Sequence, residues 1–155
     1  VYYDRLIRIQ DIELNKRIVR GGGHIYIVPD TYCVYLARET FKGVAKNNFG
    51  NGKWNILTVY YTKQMKSLSI RHFVPLLFLL SLIVPLVMML FYFPAVIISL
   101  TSLLLYLISI SVISLSLSLK KKLCFSYLMM TFVVLHLSYG WGSLNGIISV
   151  LKYGK

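Results

Sequence analysis

Five carboxylates are all the acidic chemistry this 155-residue chain holds, and Asp4, Asp11, Asp30, Glu13 and Glu39 all fall in its first forty positions. Asp11 has the most definite setting. It opens the helical pattern Asp11-Ile12-Glu13-Leu14-Asn15-Lys16-Arg17-Ile18, at the place where a side-chain oxygen accepts from the first free backbone N–H groups. On residue type alone, Asp11 is therefore expected to cap a helix. No Asp-x-Asp occurs; Asp11-Ile12-Glu13 is the nearest approach, and it belongs to the helix start. Cys33 lies in the charged front and Cys124 in an apolar run, so neither a disulfide nor a metal pair is expected. His136 is the only ionisable side chain deep in an apolar run. In such a place a histidine either does chemistry or bonds a neighbouring helix, and the sequence leaves both open. Trp54, after Lys53, suits an anchor at a membrane interface. Gly21-Gly22-Gly23 follows a helix instead of opening one, which makes it a helix terminator and not a phosphate loop.

The elements that would position these residues divide the chain in two. Residues 1–71 carry every acid and most of the bases, and would bury a thin core at best. A helix is expected from Asp11 to about Arg20, with Leu14 and Ile18 on one face and Glu13–Arg17 as an i,i+4 ion pair. His24–Val28 and Thr31–Leu36 are β-prone and flank a Pro29-Asp30 turn, which predicts two strands. From Glu39 or Thr40 a basic amphipathic helix follows, with Phe41, Val44 and Ala45 on one side and Lys42 and Lys46 on the other. Such a helix belongs at a membrane surface.

Residues 72–155 hold no acid and five lysines. Residues 73–93 and Ala95–Leu119 run uncharged for 21 and 25 residues, each enough to cross a hydrocarbon layer about 30 Å thick. Pro85 should kink the first, and Phe93-Pro94 implies a tight hairpin before the second. Leu123–Leu151 is uncharged for 29 residues but interrupted by Gly140, Gly142, Asn145 and Gly146. A third span over about 123–143 with a bent tail is expected. Gly142 and Gly146 have the spacing that lets helices approach closely, although a loosened helix end reads equally well. The serines of the second run come with no ionisable partner, which argues against a transport path. Lys63, Lys66, Arg71 and Lys120–Lys122 outnumber Lys152 and Lys155 across these spans. The excess puts residues 1–71 and the lysine triplet on the cytoplasmic side and the C-terminus outside.

Composition narrows the function classes. With 57% apolar and 14% charged residues, the chain is far from an ordinary soluble domain, which is about 45–50% apolar and about 25% charged. Its hydrophobicity also excludes intrinsic disorder. The net charge of +12 points to anionic lipid before nucleic acid, given so much apolar sequence.

Beyond these readings, the order of motifs carries a resemblance. Tyr3-Asp4, then Arg8-Ile9-Gln10-Asp11-Ile12-Glu13-Leu14-Asn15-Lys16-Arg17-Ile18, then Gly22-Gly23-His24-Ile25-Tyr26-Ile27-Val28-Pro29 resembles the C-terminal half of family-2 glycosyltransferases of the succinoglycan-biosynthesis type. Phe41-Lys42-Gly43, Phe49-Gly50-Asn51-Gly52-Lys53-Trp54 and His136-Leu137-Ser138-Tyr139-Gly140 resemble later parts of that subgroup. The resemblance implies an α/β fragment, the C-terminal part of a Rossmann-like GT-A glycosyltransferase domain over residues 1–71, followed by an all-α membrane region of three transmembrane helices over 72–155. It implies that Asp11 is the catalytic base, taking a proton from an acceptor hydroxyl that attacks a nucleotide sugar with inversion. Gln10 stands where many relatives carry Glu, and Gln10, Lys53 and Trp54 are implied on the acceptor side. The diphosphate leaving group is neutralised by Mg²⁺ or Mn²⁺ held in an N-terminal half that carries Asp-x-Asp. These residues lack that half, so the chain is expected to be a fragment that binds no metal and is inactive alone. The implied partners are a nucleotide-sugar donor, a lipid-linked or glycan acceptor and membrane lipids, with no nucleic acid. The alternative is a non-catalytic membrane anchor, an assembly protein or a split-gene remnant.

Overall fold

The computed structural model describes residues 6–64 and 69–153, and its α-helices are α1 (Gln10–Arg20), α2 (Phe41–Thr62), α3 (Val74–Met88), α4 (Val96–Lys121) and α5 (Phe125–Tyr153). Short 3₁₀ turns at Ile70–Phe73 and Phe93–Ala95 lead into α3 and α4. Tyr3, Asp4, Lys66 and Lys155, used above for the resemblance and the orientation, lie outside the described residues.

The α/β expectation is overturned: among the described residues there is no strand, and the architecture is all-α. His24–Val28 and Thr31–Leu36 form no ladder. Their side chains stand in the open, with Ile27 94% and Tyr32 93% exposed. The Pro29-Asp30 turn does form, and Thr31 Oγ1 donates to the Val28 carbonyl at 3.3 Å. Its two arms nevertheless stay unpaired. β-prone side chains favour a strand only where a neighbouring strand and a covered face accept them, and an isolated two-stranded hairpin is marginal in water.

α1 forms over the expected range with a different start. Ile9, in left-handed backbone at φ 64°, occupies the N-cap, and Asp11 is the second helical residue. The Gln10 side-chain amide donates to the Leu6 carbonyl. Glu13 pairs with Arg17 at 3.3 Å and with Arg20 at 3.8 Å, and is 2% exposed. The glycine run ends the helix as expected: Gly21 N–H reaches the Arg17 and Ile18 carbonyls, and Gly22 takes φ 82°.

Thr40 caps α2, its hydroxyl accepting from Gly43 N–H at 3.1 Å. Phe41, Val44 and Ala45 are half-buried while Lys42 and Lys46 are exposed, the sidedness expected from the sequence. The helix then continues through Asn48–Trp54 to Thr62, alongside α5. The two helices run parallel: Phe41 stacks on Tyr127 with ring centres 5.3 Å apart, while Lys53 lies against Gly146 further along both. Backbone meets backbone between them. A Cβ added at Gly146 would lie 2.7 Å from the Lys53 carbonyl oxygen; one at Gly52 would overlap the Tyr139 carbonyl, and one at Gly142 the Phe49 carbonyl. Gly142 and Gly146 therefore sit in the middle of a helix contact, not at a loosened end. Ser143 Oγ donates to the Gly52 carbonyl at 3.3 Å across the same seam.

α3 and α4 form an antiparallel pair, with Phe78 stacked on Tyr106 at 4.1 Å. Pro85 is accommodated inside α3. Its ring removes one donor from the helix ladder, and Ser99 of α4 supplies a hydroxyl to the nearby Leu82 carbonyl at 2.8 Å. Among the described residues two segments are long and apolar enough to cross a membrane, Ile70–Met88 and Phe93–Lys121. The expected third span is corrected. From Phe125 onward the run does fold into helix, but His136, Ser138, Ser143, Asn145 and four ring- or glycine-bearing positions from Tyr139 to Gly142 dilute its apolar character, and α2 covers much of its length. A helix whose face is taken up by a partly polar neighbour needs less hydrocarbon on its surface.

Candidate functional site

Polar contacts gather where α1, α2 and the start of α3 meet. Arg8, just before α1, reaches α2: its Nη1 donates to the Asn47 carbonyl and Asn47 Oδ1 at 3.3 Å each, and to Asn51 Oδ1 at 3.2 Å. Gly50 lies beneath this guanidinium, where an added Cβ would come within 2.8 Å of it. Lys16 Nζ donates to Ser69 Oγ at 3.1 Å, tying α1 to the residue that caps the turn into α3. Asn55, fully buried, donates its Nδ2 to the His72 carbonyl at 3.3 Å, and its Oδ1 has no partner among the described residues. Three asparagines at 47, 51 and 55, spaced by four, thus form a polar stripe along one side of α2. Sequence reasoning passed over that stripe, although its i,i+4 spacing was available to be read.

Asp11 is exposed beside this junction, one turn from Arg8, and makes no hydrogen bond or ion pair among the described residues. Its place in the first turn of α1 gives the carboxylate favourable helix-dipole interaction without a cap bond. Gln10 is turned inward onto Leu6. Lys53 and Trp54 lie together further along α2. With Leu57, Tyr60, Tyr61, Ser149 and Val150 they line a cavity of about 280 Å³ between α2 and α5. Asp11 and Gln10 do not line it. The structure therefore joins Lys53 to Trp54 and, among the described residues, brings neither Asp11 nor Gln10 to them.

A second cavity, about 410 Å³, lies between α3 and α4 and is closed by His136 of α5. Tyr106 and His136 meet inside it, hydroxyl to Nδ1 at 3.1 Å, and the Tyr106 hydroxyl also donates to the Phe132 carbonyl at 3.3 Å. The histidine left open by the sequence is thus a bonding partner between helices, and it also faces a crevice. Among the described residues no three of His, Cys, Asp and Glu converge to hold a metal ion. Comparison of the chain with protein-family profiles, with characterised proteins and with solved structures finds no match.

Proposed function

We propose that this chain is the acceptor-side and membrane-anchoring part of an inverting glycosyltransferase that acts at a membrane surface on a lipid-linked or polysaccharide acceptor. One observation supports it above others: Asp11 is an exposed carboxylate with no bonding partner among the described residues, on a helix tethered through Arg8 to α2 and through Lys16 to the start of the first membrane-compatible segment. On this reading Asp11 accepts the proton of an acceptor hydroxyl. That oxygen's electron pair forms the new bond to the anomeric carbon, and the sugar–diphosphate bond breaks on the opposite face with its electrons leaving on the diphosphate. Trp54 offers a face on which a sugar ring stacks, and Lys53 a cation for an anionic group of the acceptor. No step here passes through a metal; neutralising the diphosphate falls to a donor-binding unit outside these residues.

The test is sugar transfer from labelled nucleotide sugars into the lipid fraction of membranes carrying the protein together with its donor-binding unit. Asp11→Asn should lower transfer roughly 10²–10⁴-fold, the range of a lost general base, with membrane insertion unchanged. Undiminished transfer in that variant removes Asp11 from the chemistry. The absence of any sheet among the described residues favours a second reading, a non-catalytic membrane anchor or assembly protein, and undiminished transfer would leave that one standing.

A further inference from the structure

The crevice between α3 and α4 goes beyond the glycosyltransferase reading and does not depend on it. Its walls are Val74, Pro75 and Phe78 of α3 and Leu105, Ile110 and Ile113 of α4, all on segments apolar enough to lie in a bilayer. The stretch of α4 from Ser102 to Ile113 gives it a length of about 16 Å at about 1.5 Å per residue. At about 410 Å³ it falls within the size range of small-molecule pockets, roughly 300–1,000 Å³.

Its polar atoms are few and informative. Ser81 and Ser109 return their hydroxyls to backbone carbonyls of their own helices, Phe78 and Leu105. Tyr106 is engaged with Phe132 and with His136 Nδ1. That leaves two lining residues with bonding capacity to spare: Ser102, whose hydroxyl makes no hydrogen bond among the described residues, and His136, whose ring bonds Tyr106 through Nδ1. In a hydrocarbon surrounding, unpaired polar atoms are costly, so the natural occupant brings a group to bond them. No charged side chain lines the crevice, which excludes a phosphate or ammonium headgroup. Nε2 is a donor in one histidine tautomer and an acceptor in the other, and Ser102 Oγ is both. A hydroxyl answers every combination.

We infer that this crevice binds an uncharged lipid alcohol, its hydrocarbon part along Phe78, Leu105 and Ile110 and its hydroxyl between Ser102 Oγ and His136 Nε2. The test uses the full chain in phosphatidylcholine vesicles with a long-chain alcohol carrying a diazirine; after illumination, adducts are mapped by mass spectrometry. Adducts should concentrate on the segments around Phe78, Tyr106 and His136. Excess unlabelled alcohol should suppress them, and the alkane of equal length should not. His136→Leu should cut labelling about fivefold, the worth of one net hydrogen bond, and His136→Gln should restore most of it. Equal suppression by the alkane, or adducts spread evenly over outward-facing residues such as Leu104 and Ile108, would overturn the inference by showing ordinary solvation by lipid chains. The competition on the unsubstituted protein decides the matter even where His136→Leu fails to fold.

Discussion

Asp11 and Glu13 stand two positions apart on α1 and meet opposite surroundings: Asp11 is exposed and without a partner among the described residues, Glu13 is buried between Arg17 and Arg20. Glu13 was legible as one half of an i,i+4 pair, but its burial was not, because burial depends on what the rest of the chain lays over it. Glu13→Gln should lower stability by about 1–3 kcal/mol in a denaturant titration, since two guanidinium groups lose their anion while the buried side chain stays. Asp11→Asn, by contrast, should cost only the helix-dipole contribution, about 0.3–1 kcal/mol. Cys124 gives a pH-dependent handle. A hydrogen bond from the Ser126 hydroxyl, followed by backbone N–H bonds from Tyr127 and Ser126, holds its thiol below the usual range. A lowered thiol pKa means more thiolate at a given pH, so the alkylation rate of Cys124 rises at lower pH than that of an ordinary thiol. In Ser126→Ala that rate profile should move to higher pH; an unmoved profile would remove the serine as its cause.

α2 and α5 show how an element acquires its role from its neighbour. Asn47-Asn48-Phe49-Gly50-Asn51-Gly52 has poor helix formers in almost every position, and the helix runs through it regardless. Glycine at 52, 142 and 146 lets the two backbones close on each other, and the resulting contact offsets a low local propensity. Gly142→Ala should therefore destabilise the protein by about 1–3 kcal/mol, the usual cost of overpacking, as read from thermal unfolding in detergent. Gly21→Ala meets only ordinary contacts at 3.5 Å and should change little there. The strand expectation failed at this same scale. His24–Val28 and Thr31–Leu36 have the composition of strands, but the described residues give them no partner to complete a ladder.

For the molecule as a whole, two membrane-compatible segments joined by a short hairpin hold α1 and α2 near the start of the first through Lys16–Ser69 and Asn55–His72. The distribution of lysines predicts that Cys33 and Cys124 lie on the same side of the bilayer. A membrane-impermeant maleimide should label both from the cytoplasmic face of oriented vesicles and neither from the other; labelling from opposite faces would reverse the topology and separate Asp11 from the lysine triplet.

The chain's apolar back, its acid-free second half, the two long uncharged runs and the end of α1 at its glycines could all be read from the residues in order, because hydrocarbon content and helix-end chemistry act over one or two turns. Tertiary structure alone decided that the β-prone run stays unpaired, that Glu13 is buried while Asp11 is not, that α2 and α5 meet through glycine, and that His136 and Ser102 face one crevice. Each of these depends on contacts between residues far apart in the chain, where a side chain's surroundings come from partners that its own neighbours do not specify.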